Sequence, residues 1–327
     1  MAVCGIDFGN LSLLIGQTSK GGVDVILNDS SNRQSAAAVS IQGKQRFIGD
    51  AGAAMARSNV KNTVTLMKLL VGRQFDDPAV QAELAKCPYK ASKMPSGGVG
   101  IEVMYNDTPT VIHAEHFLAM VLVLARGIVN KANSGLNIGD AVLAVPNWFT
   151  ETQRRAVLNA CDIAQVNCLK VANETVLIGL SYGIYKSAKK LFSETEPLHV
   201  MFVDIGYTSY QVTIVDFIQE NMKVLSTVCD INLGGRDFDD VIIEYLCECF
   251  EAKTKINVRN NTKAILKLQA AAEKAKKTLT PMGVSDAAVN VECLAEDMDL
   301  NCMLKRDEFE KRCQPLVDRL RAPVERA

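Results

Sequence analysis

"GIDFGNLSLLIG" at residues 5–16 and "FVDIGYTSYQVTIVDF" at residues 202–217 carry one pattern twice. Each is an apolar strand, an Asp-x-Gly turn, and a second strand with β-branched or alternating apolar character. Gly9 and Gly206 permit a tight turn whose backbone N–H groups can face an anion. Asp7 and Asp204 then fall at the ends of buried strands. A carboxylate is costly there unless it is paired or holds a cation through water. One Asp-x-Gly alone reads as ordinary hairpin chemistry. Its repetition, each time on a hairpin, predicts a two-lobed α/β fold built from a duplicated domain, with the two turns gripping a polyphosphate and its Mg²⁺.

A chain of 327 residues is long enough for two domains. The near-neutral charge balance gives no sign of a nucleic-acid or membrane partner. No apolar run reaches the length of a membrane span, and the opening residues carry no basic leader or cleavage site, so secretion is not expected. Ten cysteines are scattered from Cys4 to Cys313 with no C-x-x-C pair. Most are expected to be small buried apolar side chains in a reducing compartment, cytosolic or nuclear. Cys247 and Cys249 stand two apart on a predicted helix and point to different faces. With only His113, His116 and His199 present, a zinc site is not expected.

Strands and turns are predicted to about Asn32, with Gly21-Gly22 as a hairpin signal. "NTVTLMKLLVGRQF", residues 62–75, sets Val64, Met67, Leu69 and Leu70 at helical spacing, with Gly72 near its end. Residues 85–106 read as loop and strand, and a long apolar helix follows from Ala114 to about Asn130. "GDAVLAVPNWF", residues 139–149, is a buried strand stopped by Pro146. Thr150 with Gln153 forms a capping box for the next helix. "CLKVA" is a further strand and "NETVLIGLSYGIY" a further helix, giving α/β order. Residues 189–197 connect a first lobe, 1–188, to a second, 189–327. The second lobe is mostly helical from Asp237 to Thr280, then β-like near "AAVNVEC", then helical again from Arg306.

The order of "GIDFGN", "NTVTLMKLLVGRQF", "AVLAVPNWFTETQRRAVLNACDIAQVNCLKVANET", "LSYGIYK", "VDIGYTSYQV", "LGGRDFDD" and "EKAKKTLT" resembles the ATPase domain of 70-kilodalton heat-shock proteins. The resemblance covers essentially the whole chain and implies an actin-like ATPase fold with ATP or ADP and Mg²⁺ in its cleft. "DFGN" with "NDSSNR", "KQRFIG" and "VDIGYTSYQ" is most similar to the divergent 110-kilodalton co-chaperone branch.

Roles follow from the resemblance position by position. Asp7 and Asp204 match the aspartates that hold Mg²⁺ through water. Lys68 matches the lysine near the transferred phosphoryl group, and Glu174 the glutamate beside the attacking water. Lys68, Glu174 and Asp204 are therefore the expected catalytic set. Without the family context, Lys68 reads as a solvated helix residue and Glu174 as an acid at a helix N-terminus. Gly9, Asn10 and Leu11 in the first turn and Gly206, Tyr207, Thr208 and Ser209 in the second are the expected phosphate contacts. Gly234 and Gly235 match a backbone segment near the nucleotide, and also read as a plain turn. Glu273, Lys276, Lys277 and Thr280 match the helix beside the adenosine, with Glu273, Lys276 and Thr280 on roughly one face. As bare sequence that helix reads as a charged solvent face. Pro146 and Arg154 match positions that couple nucleotide state to lobe motion.

Several positions depart from the ordinary chaperones. Asn10 replaces a threonine, Tyr207-Thr208-Ser209 replaces Gly-Gly-Thr, and Gln211 stands in place of an aspartate. Fewer close backbone donors and less charge imply weak ATP hydrolysis. The family continues past "QPLVDRLRAPVERA", residues 314–327, with a glycine-rich adenosine turn, the last strands of the second lobe, a linker and a client-binding region. The second lobe is thus expected to be incomplete, with unpaired strand edges. The resemblance implies a nucleotide exchange factor for a 70-kilodalton chaperone, with unfolded clients held by the absent region. The alternatives are an ordinary ATP-hydrolysing folding chaperone, a small-molecule kinase on the same fold, or an inactive fragment that binds no nucleotide.

Overall fold

The computed structural model describes residues 3–19, 22–135 and 139–327. The chain divides into two compact units, Met1–Lys186 and Ser187–Ala327. Gly21 of the expected Gly-Gly hairpin signal lies outside the described residues, while Gly22 opens the strand Gly22–Val25.

In the first unit the strand Cys4–Phe8 buries Cys4, Ile6 and Phe8 and turns Gly5 and Asp7 the other way, the period-two pattern of a strand. It runs parallel to Asp140–Val145 and antiparallel to Ser12–Ser19. Asn167–Asn173 continues the parallel side; Gly22–Val25 and Gln34–Ala36 both pair with Ser12–Ser19. Asp140–Val145 is a near-continuous apolar run, as a strand flanked by parallel neighbours requires. The helix Ala114–Ala132 sinks Phe117, Leu118, Val121, Leu122, Ala125 and Val129 into the core. The helix Glu151–Ile163 opens on the expected capping box: Gln153 N donates to Thr150 Oγ1 at 3.3 Å and Thr150 N to Gln153 Oε1 at 3.1 Å.

One sequence expectation fails here. Residues 62–75 do not form an α-helix. They run as a short strand, Thr63–Val64, then a single 3₁₀ turn, Met67–Leu69. The β-branched run Thr63-Val64-Thr65 favours extended chain, and Leu66 takes the left-handed conformation, φ 57°, which a helix cannot continue through. Val64, Met67 and Leu70 are still buried, since a spacing of three satisfies a strand-plus-3₁₀ path as well as a helix.

The second unit begins with an antiparallel meander, Leu198–Ile205, Tyr210–Ile218 and Asn221–Asp230. Phe192, from the connection before it, stacks on Phe217 at 5.1 Å. Two helices, Gly235–Thr254 and Thr262–Leu279, pack their Ile242, Leu246, Phe250, Leu268 and Ala272 against the hairpin Asp286–Ala295 and Met298–Lys305. The helix Arg306–Arg326 closes the described chain. Among the described residues, Leu198–Ile205 has one sheet neighbour where Cys4–Phe8 has two, and its Met201, Val203 and Ile205 are exposed. No helix among the described residues is long and apolar enough to cross a membrane.

The cysteines differ in part from expectation. None of the ten is in a disulfide, and only Cys4, Cys161, Cys247 and Cys313 are buried. Cys87, in the loop after Pro78–Leu84, and Cys168, Cys229, Cys249 and Cys302, on strands and a helix, are half-buried, and Cys293 is exposed.

The link from the 3₁₀ turn to the helix Glu151–Ile163 depends on Gly72. Its φ is +69°, and a Cβ there would lie 2.5 Å from Gln153 Cα and 2.9 Å from Ala156 Cβ. Gly72→Ala is expected to destabilise the chain by roughly 2–4 kcal/mol in urea unfolding, through overpacking and a strained backbone. An unchanged midpoint would contradict this packing.

Candidate functional site

The 3₁₀ turn carries Lys68 inward. The side chain is almost wholly buried, its stem running along a cavity lined by Phe8, Val71, Leu143 and Val145. Its Nζ lies 5.9 Å from the Phe8 ring centroid and 2.7 Å from Glu174 Oε1, joining residues 106 apart in sequence. The 3₁₀ turn buries Lys68 and makes it half of an ion pair with the half-buried Glu174.

Glu174 is the first residue of the helix Glu174–Ala188, directly after the strand Asn167–Asn173. Arg154 fixes that junction. Its Nε donates to Phe149 O at 3.0 Å and an Nη to Asn173 Oδ1 at 2.7 Å. Asn147 Nδ2 donates to Thr175 Oγ1 at 2.7 Å on the other side of Glu174. Asn147, Asn173 and Thr175 therefore set the position of Glu174, and sequence analysis did not single them out. Arg154, proposed from the resemblance as a coupling residue, sits in the same network.

Asp7 stands at the end of the strand Cys4–Phe8 and interacts electrostatically with both members of the pair. Partial burial raises its carboxyl pKa; Lys68 lowers it and Glu174 raises it again. The turn follows at once. Gly9 N donates to Ser12 O at 2.8 Å, and a Cβ on Gly9 would stand 2.7 Å from that oxygen. Asn10 is half-buried in the turn and Leu11 is exposed. The first unit thus brings Asp7, Lys68 and Glu174 together beside Gly9, Asn10 and Leu11.

The second unit repeats the turn. Gly206 N donates to Ser209 O at 2.9 Å. Asp204 pairs in register with Gln211, whose Nε2 donates to Asp204 Oδ2 at 3.3 Å. Tyr207 takes its place without a left-handed backbone, and burial, with Asp239, Asp240 and Glu273 nearby, pushes its hydroxyl up to about 12. Thr208 is buried and Ser209 half-buried. Gly234 is the residue that must lack a side chain: a Cβ would lie 2.6 Å from Thr208 N and from Tyr207 C and O. Gly235 N donates to Gly206 O at 2.9 Å and Arg236 N to Tyr207 O at 2.8 Å, so the two turns form one structure at a helix start.

Lys276 reaches the same place. Its Nζ donates to Gly235 O at 2.9 Å and pairs with Asp239 at 2.7 Å. Burial raises the Asp239 pKa and Lys276 opposes it. Asp239, one helical turn past Gly235 in "GGRDFDD", is a site residue that sequence analysis passed over. Glu273 and Lys277 pair with each other at 2.7 Å, with Lys277 largely exposed. Thr280 is exposed just past the helix end and donates to Lys276 O at 3.0 Å.

An α/β fold with two Asp-x-Gly hairpins of one geometry, one of them beside a buried Lys–Glu pair, defines the class as an actin-like ATPase fold. A family profile described as "Hsp70 protein" matches residues 3–327, and the chain belongs to that family. It is 37% identical over 324 residues to Heat shock 70 kDa protein 4L of Homo sapiens, covering 99% of this chain and 38% of that protein. It is 39% identical to Heat shock 70 kDa protein 14 of Arabidopsis thaliana, over all of this chain and 39% of the relative. It is 36% identical to the 97 kDa heat shock protein of Mesocentrotus franciscanus, over 99% of this chain and 36% of the relative. The chain thus spans less than two fifths of the length of these relatives.

A raised carboxyl pKa has a definite sign. The stability Asp7 contributes is complete below its ordinary value of 3.8 and is lost as pH rises through the raised folded value. Asp7→Asn is therefore expected to raise the unfolding temperature of the nucleotide-free, Mg²⁺-free chain at pH 7 by roughly 2–5 °C. It should also flatten the decline that begins as pH rises above the ordinary carboxyl value. A lowered unfolding temperature at pH 7 would contradict this assignment.

Proposed function

We propose that this chain binds ATP or ADP with Mg²⁺ and serves as the nucleotide-binding part of a 110-kilodalton-type heat-shock co-chaperone. Its ATP-bound form promotes nucleotide exchange on a 70-kilodalton chaperone in the cytosol or nucleus, and its own hydrolysis is weak. Unfolded clients are held by sequence beyond these residues. The observation that carries the proposal is the convergence of Asp7 on the buried Lys68–Glu174 pair, from three separate parts of the chain.

The residues fit Mg²⁺ and a polyphosphate. Asp7, with its pKa raised by burial and by Glu174, is a carboxylate that a hard cation would relieve. Gly9 leaves no room for a side chain in the first turn, which keeps its backbone close to any phosphate. Asp7 and Asp204 would hold the metal through water, and bound Mg²⁺ would supply neutralising charge to the phosphates. The turn residues Gly9, Asn10, Leu11, Gly206, Tyr207, Thr208 and Ser209 bind and orient phosphate. Lys68 supplies positive charge near the transferred group, and Glu174 positions a water. Gly234 and Gly235 hold the second turn in place. Glu273, Lys276, Lys277 and Thr280 lie on or just past the helix assigned to the adenosine side.

Weak hydrolysis is supported by the second turn. Gln211 offers Asp204 a neutral amide where the ordinary chaperones have a carboxylate, and Tyr207 fills a position that glycine holds in them. Less preorganised charge at the phosphates means less transition-state stabilisation, while ground-state binding is affected less.

Calorimetric titration of ATP, with and without Mg²⁺, tests the proposal. Binding is expected to require Mg²⁺ and to weaken at least about tenfold in Asp7→Ala, a loss of about 1.4 kcal/mol. The ATP-loaded chain is then expected to speed ADP release from a 70-kilodalton chaperone. Failure of the folded chain to bind ATP would overturn the reading and favour a nucleotide-free role. Rapid turnover would instead favour an ordinary ATP-hydrolysing chaperone.

A further inference from the structure

Cys249 and Cys302 meet in the second unit, between the helix Gly235–Thr254 and the strand Met298–Lys305. Their sulfurs are 2.7 Å apart across 53 positions of sequence. Both are free and half-buried, so the pair is within reach of a small solute. A disulfide bond is about 2.05 Å long, so little movement separates the two thiols from a bond. The backbone on both sides is fixed. Tyr245 OH donates to Met303 O at 3.0 Å, the Arg312 guanidinium lies 4.9 Å from the Tyr245 ring centroid, and the Lys253 ammonium donates to Asn301 O. Cys247, two residues earlier on the helix, points into the core and takes no part.

We infer that Cys249 and Cys302 form a reversible disulfide, made by a hydroperoxide and undone by a thiol reductant. The site is independent of the nucleotide-binding proposal. The Cys249 thiolate attacks a peroxide oxygen, the O–O bond breaks, and water leaves as the sulfur becomes a sulfenic acid. The Cys302 sulfur then displaces the hydroxyl group, which departs as a second water with the Cys302 proton. Two thiols and one hydrogen peroxide give one disulfide and two waters. Burial pushes the Cys302 thiol up to about 12, so Cys302 stays protonated and the first attack on peroxide falls to Cys249. The bond fastens the helix that begins at the Gly234–Gly235 turn to the hairpin packed beside it.

The test is peroxide treatment of the full chain, followed by peptide mapping without reduction. One linked pair, Cys249–Cys302, is expected, reversible with dithiothreitol and accompanied by a rise of roughly 5 °C in unfolding temperature. The link should persist in Cys247→Ser and Cys293→Ser, which share its tryptic peptides, and vanish in Cys249→Ser and Cys302→Ser. A natively folded wild-type chain that gives no link, or a link through Cys247 or Cys293, overturns the inference.

Discussion

The first unit is organised by one buried contact, the Lys68–Glu174 ion pair. A buried ammonium without a partner is expensive, and removing one member of a buried pair typically costs about 3–5 kcal/mol. That cost specifies local structure at both ends. The chain around residues 62–75 gives up a regular helix for a 3₁₀ turn that aims Lys68 inward. The strand-to-helix junction at Asn173–Glu174 is clamped by Arg154 and by the Asn147–Thr175 hydrogen bond. Asp7 adds a second carboxylate to a place with a single buried lysine, and burial raises its pKa against the opposing pull of Lys68. A cluster with one ammonium between two carboxylates is one that a cation would stabilise.

The duplicated hairpins show where this logic repeats and where it changes. Both turns close with a bond from the glycine N–H to the carbonyl three residues on, at 2.8 Å for Gly9 and 2.9 Å for Gly206. Both aspartates stand two residues before that glycine, facing Leu14 in the first hairpin and Gln211 in the second. In the second unit the polar partner of the aspartate is an amide on the neighbouring strand. The ion pair there, between half-buried Lys276 and buried Asp239, ties two helices and the Gly235 carbonyl together behind the turn. Lys276 is thereby engaged in holding the turn.

Much of this was legible in sequence because it rests on local rules. The Asp-x-Gly repeat, the capping box at Thr150 and the apolar strand ending at Pro146 each depend on residues close together in the chain. What escaped depends on contacts between distant residues. A spacing of three apolar residues does not distinguish an α-helix from a strand followed by a 3₁₀ turn, and nothing local announces that Leu66 is left-handed. Gly234 reads as a plain turn in sequence, and only the packing of the second turn under the start of a helix shows that it must lack a side chain. Asp239 and the Cys249–Cys302 contact are products of packing between helices and hairpin, which no window of sequence contains.

The most direct test is a double-mutant cycle on Lys68 and Glu174, read as the urea unfolding free energy of the nucleotide-free chain. Glu174→Leu is expected to lose about 3–5 kcal/mol, because it strands the buried Lys68 ammonium, and Lys68→Met somewhat less, because Glu174 is only half-buried. The double variant should lose clearly less than their sum, with a coupling of about 2 kcal/mol or more. Additive losses would mean that the two side chains do not depend on each other, and the account of how this site is organised would be wrong.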